Sequence, residues 1–374
     1  MEIQIERKPL LKALSRIQTV VGRSNTMPIL SNALIESQED RIIISSTNMT
    51  VSLQTTCPAV FVDPGSFTVN AKTLYEVVRE LSEETIVLRK DKSDRLLLSC
   101  GRAKFKLAGF PCEQFPSIPK ADGVYRFSMD SRVLADMFTK THFAVSREEN
   151  RPTLNGLFFQ VTPATKEGGA GAISVVATDT HRLAMVECFL PYLPAEPLGV
   201  IIPRNAVQEI RRMLETEQQP LEIILDRNYI QLVGHDVNLV SKLVEGRFPD
   251  CRRVIPMDNP LHMNVNREQL LEVVKRMSVT SNEKSRGVRL TIDHEQMQFN
   301  SNNSEQELAE EKMQVSLEGG TALTVGFNAR YLKEFLAVMD GTEVRFSMKY
   351  TESPILLVDP NQPGTKFVLM PMIV

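Results

Sequence analysis

The chain of 374 residues has no tryptophan, only 6% aromatic residues and a formal net charge of just −3. So small a total rules out a bulk polycation. Any affinity for nucleic acid has to come from where the charge is placed. No apolar run approaches the ~18 residues that cross a bilayer, so no membrane-spanning helix is expected. The opening MEIQIERKPL lacks the apolar centre of a signal peptide, and the expected location is the cytoplasm. Five scattered cysteines (Cys57, Cys100, Cys112, Cys188, Cys251) never form a CxxC pair. An odd, dispersed set points to reduced thiols rather than a disulfide framework or zinc site. The five histidines (His142, His181, His235, His262, His294) lie too far apart in sequence to suggest a metal site, and no cofactor is expected. Dinucleotide, P-loop, nucleophile-elbow and HExxH signatures are all missing. The stretch Asp179-Thr180-His181-Arg182 is a possible acid/base fragment, but catalysis also needs a second partner and a pocket. No catalytic residue is assigned.

What the chain does contain is a repeat. EIQIERKPLLKAL, YRFSMDSRVLADMF and LHMNVNREQLLEVV each run from a short strand into an amphipathic helix, aligned on Leu11, Leu134 and Leu271. A second helix follows in each: TVNAKTLYEVVREL, IIPRNAVQEIRRML and VGFNARYLKEFLAVM, aligned on Leu74, Val207 and Leu332. The anchor spacings are 63, 73 and 61 residues, and the longer middle one contains PATKEGGAGA (163–172), a loop insertion. Alternating runs such as TIVLRK, LEIILD and EVRFSM supply strands, and PILSNALI, PTLNGLFF and SRGVRLTI fill matching places after the first helices. Proline-rich 110–119 and 247–256 close the first two repeats. The expected architecture is three α+β domains, over residues 1–119, 124–256 and 260–374, each with two helices on antiparallel sheet.

Positive charge gathers on the helical segments. Together the six carry +7, so the remainder of the chain carries −10. Lys8, Lys12 and Arg16 fall on one stripe of the first helix, opposite a core stripe of Leu10, Leu11, Leu14 and Ile17. Arg204, Arg211 and Arg212 group on the fourth. A cationic face built by several helices binds phosphate without reading bases. No aromatic residues interleave these cations, which favours duplex backbone over stacked single strands.

The strings ATDTHRLAM, KLVEGRFPDCRRVIP, SNEKSRGVRL, NNSEQELAEE, GFNARY and the terminal VLMPM resemble the beta subunit family of bacterial DNA polymerase III, the sliding clamps, in order through all three repeats. The resemblance implies a non-enzymatic processivity factor. Its fold would be a head-to-tail homodimeric ring with helices lining a central hole and sheets outside. Twelve helices packed ~10 Å apart on a circle leave a hole roughly 28 Å wide, enough for a hydrated duplex. The partners implied are a second copy, sequence-independent duplex DNA, a clamp loader, the replicative polymerase and other replication and repair proteins. Some positions depart from the family's usual residues: Thr180 where glycine is common, Pro152 and Thr153 where aromatics are, Ser285 for an aromatic, and the Ile373-Val374 ending.

Carried over position by position, the resemblance implies three sites. A partner-peptide groove would take Leu154, Thr178, His181, Arg182, Leu183, Pro249, Arg253, Val254, Asn328 and Tyr331, with the apolar tail Val368, Leu369, Met370, Pro371 and Met372 as one wall. Methionines suit a surface that accepts many peptides, and Arg182, Arg253 and Asn328 are expected to fix the peptide's polar groups. DNA contacts are expected at Arg23, Lys72, Arg151 and Arg204, and the charged stripe of the first helix adds Lys12 and Arg16. Ring closure would set Arg102, Lys104, Phe105, Leu107 and Leu81 against Val279, Thr280, Glu305 and Glu307, with Glu310 and Glu311 nearby. Two other readings stay open at this stage: a nucleic-acid-processing enzyme using Asp179 and His181, and a monomeric three-domain scaffold that does not bind DNA.

Overall fold

The computed structural model describes residues 1–22, 27–123, 125–164, 170–190, 196–319 and 322–373. Among these residues lie six α-helices: α1 (Arg7–Val20), α2 (Ala71–Glu80), α3 (Ser131–Thr139), α4 (Arg204–Thr216), α5 (Arg267–Met277) and α6 (Ala329–Val338). These are the two helices per repeat that the anchors mark. Three of these helices start on asparagine caps. The side chains of Asn70, Asn266 and Asn328 accept from backbone N–H groups in the first turns of α2, α5 and α6. At the far ends, first helices clasp second helices. Arg7 donates to the carbonyls of Val78 and Arg79, and Arg267 to those of Leu336 and Gly341. A guanidinium there satisfies C-terminal carbonyls and complements the helix dipole. In the middle repeat the Ser131 hydroxyl does the equivalent work, donating to the carbonyl of Glu217.

Two local expectations need correction. PILSNALI begins with a 3-10 turn, Pro28–Ser31, and only from Asn32 does it run as a strand. In α1 the buried stripe is Leu10, Ala13, Leu14, Ile17 and Val20; Leu11 is half-buried on its flank.

Among the described residues the strands form four antiparallel sheets. Two sheets stay within one repeat. The five-stranded sheet of the first repeat ends at strand Ala103–Leu107, and the four-stranded sheet of the third ends at strand Leu308–Gln314. The other two run from repeat to repeat. In the eight-stranded sheet, Val51–Pro58 of the first repeat pairs with Val237–Lys242 of the second, in register from Val51↔Ser241 to Thr55↔Val237. In the nine-stranded sheet, Arg182–Leu190 of the second pairs with Gln362–Leu369 of the third, from Arg182↔Leu369 to Val186↔Thr365. Compactness follows these fused sheets rather than the sequence repeats. One unit holds Met1–Ala135 with Ile202–Leu243, and the other holds Asp136–Ile201 with Val244–Val374.

Candidate peptide groove and nucleic-acid interface

The groove residues all belong to the second unit. Its centre is the turn Thr178–Arg182. Thr178 Oγ1 donates to the carbonyl of Arg182 at 2.6 Å, and Asp179 Oδ1 accepts from the backbone of His181 and Arg182. Thr180 sits at φ +75°, a left-handed conformation that a β-branched residue adopts only under constraint. The turn leaves the His181 side chain exposed and drives Arg182 inward, to 5% exposure.

Each nitrogen of the Arg182 guanidinium has a partner. Nε bonds Asp179 Oδ2 at 3.0 Å, Nη1 bonds Glu334 Oε2 on α6, and Nη2 bonds the carbonyl of Phe143 at 2.6 Å. The guanidinium also lies 4.3 Å from the centre of the Tyr331 ring and 5.3 Å from that of Phe143. Burial pushes the Glu334 carboxyl up, but the hydrogen bonds and charges of Arg182 and Arg330 outweigh it and hold it below the usual range. Nearby, Lys140 is 2% exposed and spends all three protons, on Asp136 (2.8 Å), Asp340 (2.7 Å) and Gln362 (2.9 Å). It ties the end of α3 to the end of α6 and the start of strand 362–369.

The C-terminal tail is strapped down by backbone bonds. Met370 N–H donates to the carbonyl of His181 at 3.0 Å, and Met372 N–H to that of Gly326 at 2.9 Å. Below it Leu154, Leu183 and Val368 join Val176, Met185, Ile201, Phe248 and Ile255 in one buried apolar cluster. Met370, Pro371 and Met372 are half-buried above; Val254, Pro249 and His181 are exposed at the rim. A cavity of about 380 Å³ opens beneath residues 246–252, against Phe158, Val176, Met185 and Ile201.

The structure thus brings the apolar members of the predicted groove together and alters the roles of two polar ones. Arg182 is buried, and each of its three nitrogens is already engaged within the protein. Asn328 is engaged too: its Oδ1 caps α6 through Arg330 and Tyr331, and its Nδ2 donates to the carbonyl of Ser285. Arg253 remains 86% exposed and pairs with Asp250 at 2.9 Å. The supporting residues Asp179, Glu334, Phe143 and Lys140 were not singled out for the groove. Spacing hinted at Asp179, three residues before Arg182, whereas Glu334 and Lys140 act across long sequence separations. Asp179 is now accounted for, since both its carboxylate oxygens hold this turn, which removes the acid/base reading of that segment.

The nucleic-acid residues are placed as follows. On α1, Lys8 is exposed and Lys12 is 58% exposed, but Arg16 is only 8% exposed. Arg16 Nη1 bonds Asp236 Oδ1 at 2.6 Å and Nη2 bonds Thr216 on α4 at 3.0 Å, so its expected place on a solvent-facing stripe is corrected. The cause is the hairpin that carries Asp236 beside α1. On α4 Arg211 is half-buried with its Nε enclosed and unpartnered, while Arg212 pairs with Glu209. Lys72 stands 73% exposed, 3.8 Å from Glu76, and Arg204 is half-buried. In the second unit Arg151 is 50% exposed beside Glu148. Arg23 lies outside the described residues.

The proposed ring-closing residues fall at sheet edges. Ala103–Leu107 exposes Lys104, Phe105 and Lys106, with Gly101-Arg102 as its turn. Leu81 is buried, beneath a cavity that also exposes Phe105 and Arg102. In the third repeat Val279 is 81% exposed, and the Thr280 hydroxyl is engaged with Ser301. Glu305 and Glu307 lie in the turn before the edge strand rather than on it. Glu311 is bound by Arg276, which leaves Glu310 as the outward carboxylate of the strand. Leu308 is 79% exposed, and an apolar residue opening an acidic edge strand is its one signal in the sequence.

Family models for the N-terminal, central and C-terminal domains of the DNA polymerase III beta subunit match residues 1–119, 128–250 and 252–373. The chain belongs to the DNA polymerase III beta subunit family. The beta sliding clamp of Caulobacter vibrioides is 37% identical over 375 residues, covering both chains completely. Two solved structures align over the whole of both chains with a TM-score of 0.94: the DNA polymerase III subunit beta from Pseudomonas aeruginosa, 33% identical, and the Caulobacter crescentus beta sliding clamp with PEG bound to a putative beta-motif tethering region, 36% identical. Membership makes this chain a processivity subunit that serves a DNA polymerase and leaves catalysis to it. Among the described residues no helix is long and apolar enough to cross a membrane.

Proposed function

We propose that two copies close head to tail into a ring around duplex DNA, in the cytoplasm, and tether polymerase through the groove of each copy. The observation that carries this is a junction made twice and left open once. In the first and second repeats, the strand after the Thr47–Val51 or Thr178–Arg182 turn pairs with the last strand of the following repeat. The corresponding strand of the third repeat, 308–314, is an outer edge, and so is the last strand of the first repeat, 103–107. A second copy supplies the missing partner for each. A heterologous contact that closes after two copies is a ring. The two edges also carry opposite charges, with Lys104 and the Asp91-paired Lys106 on one and Glu310, 3.8 Å from Lys312, on the other, and Phe105, Leu308 and Val279 as exposed apolar residues. Unpaired edges of this kind are normally blunted or covered. Apolar burial would supply most of the stability and charge the register.

The ring holds DNA by enclosure, so its phosphate contacts need only be weak and sequence-blind. A clamp loader opens it. The groove takes a short partner segment with two apolar anchors over Leu154, Leu183 and Val368, with Arg253 as the exposed polar group. Retention on DNA tests the enclosure. The loaded protein should stay on a nicked circle and be lost when the circle is cut; equal loss from both would refute it. Deleting residues 370–374 should leave the dimer intact and abolish stimulation of the polymerase. Undiminished binding of a polymerase peptide to the truncated ring would remove the groove from this account.

A further inference from the structure

Two cations on one face of α1 converge on one carboxylate. Lys12 Nζ reaches Asp236 Oδ2 at 3.0 Å and Arg16 Nη1 reaches Oδ1 at 2.6 Å. Asp236 is anchored from behind. Its carbonyl accepts from Thr56 N–H at 3.0 Å and from the Thr55 hydroxyl at 2.8 Å, so the hairpin 234–236 cannot drift away from α1. Its side chain keeps 24% exposure, and Lys12 keeps 58%. The carboxylate therefore sits at the solvent edge of the helix, where a phosphate oxygen would also meet these donors. Lys8, one turn earlier, is exposed and has no ion pair among the described residues.

We infer that Asp236 is a built-in competitor for phosphate, which keeps the grip of α1 on duplex DNA weak enough for sliding. The inference rests on the reading that α1 faces DNA, and it assigns Asp236 a positioning role rather than a contact. Its logic is one of exchange. A bound Lys12 gives up Asp236 to take a phosphate, so each such contact gains only the difference between the two anions. A ring retained by topology gains nothing from tight contacts and is slowed by them. Arg16 is too enclosed to leave, and its bond fixes Asp236 within reach of Lys12.

The test uses the full-length dimer and open-ended duplexes of unrelated sequence, with binding measured across a salt series. Asp236→Asn retains an oxygen for Arg16 and removes the charge that holds Lys12. It should bind severalfold tighter at low salt, with a log–log salt slope steeper by about one for each phosphate newly engaged. Glu222→Gln removes the same charge from a carboxylate that pairs with Arg126 instead, and should do neither. Adding Lys12→Gln to Asp236→Asn should cancel the gain. Should Asp236→Asn fold poorly, the single variants still decide: Lys12→Gln should weaken binding less than Lys8→Gln, because Lys12 is already occupied. Salt-dependent binding with equal losses for Lys8→Gln and Lys12→Gln, or with Asp236→Asn matching Glu222→Gln, would overturn the competitor role and leave the DNA face standing. Salt-dependent binding untouched by Lys8→Gln, Lys12→Gln and Asp236→Asn alike would overturn both.

Discussion

The same turn serves both repeat junctions and ends in different chemistry. In the first, the Thr47 hydroxyl bonds the carbonyl of Val51, Asn48 Oδ1 accepts from the backbone of Thr50 and Val51, and Met49 is left-handed at φ +72°. In the second, Thr178, Asp179, Thr180 and Arg182 repeat those roles, with Thr180 at φ +75°. Both turns launch a strand that pairs with the next repeat. The difference lies in the last turn residue. Val51 buries itself, and that junction's charges sit half in water around Lys12 and Asp236. Arg182 goes inward and binds α6, and with Lys140 it makes the second junction a buried charge lattice under a peptide groove. One backbone solution thus yields an exchangeable cationic face in one place and a rigid pocket wall in the other.

Breaking the rigid junction should have the largest effect. Arg182→Ala leaves Glu334 with Arg330 alone and Asp179 with its backbone donors alone, both mostly enclosed, and should cost ~3 kcal/mol, the low end of the scale for a buried pair losing one partner. Chemical denaturation would measure it, and peptide affinity should fall with it. Arg182→Lys should recover little, because one ammonium cannot reach three acceptors and stack on Tyr331. Acid sharpens the same contrast. Glu334, Asp340 and Asp236 have their pKa values depressed, so their stabilisation is full above the ordinary carboxylate range near pH 4 and is lost as pH falls below it. Melting temperature should drop below that pH, and Arg182→Ala should drop by less over the same interval, having already lost the Glu334 contribution.

Lys140→Met comes next in size. Asp136 and Asp340 are about half exposed and can rehydrate, so an apolar side chain of similar length should cost only ~1 kcal/mol. Smallest is the turn itself. Thr180→Gly relieves a left-handed β-branched residue and should stabilise by about 0.5–1 kcal/mol, more than Met49→Gly, whose side chain is not β-branched. Paired thermal melts of the two variants would show it.

The helices and their pairing into three α+β repeats were legible because amphipathic periodicity is local. The fused sheets were not legible, since pairing of residue 51 with 241 or 182 with 369 leaves no local trace. The apolar groove residues could be named through the family resemblance. That Arg182 and Asn328 are internally satisfied could not, because their partners Glu334 and Ser285 come from distant segments. Arg16 misled for a related reason: its place on the helical wheel was right for solvent, but a hairpin more than two hundred residues later covers it.

The central claim is that the junction made twice within the chain is made a third time between copies. Amide hydrogen exchange over 103–107 and 308–314 tests it most directly, comparing the intact protein with Leu308→Asp. Alternate amides of both edge strands should be protected in the native protein, and should become fast together on dilution or in the variant, while strands 51–58 and 182–190 stay protected. Fast exchange at both edges at every concentration would contradict the account.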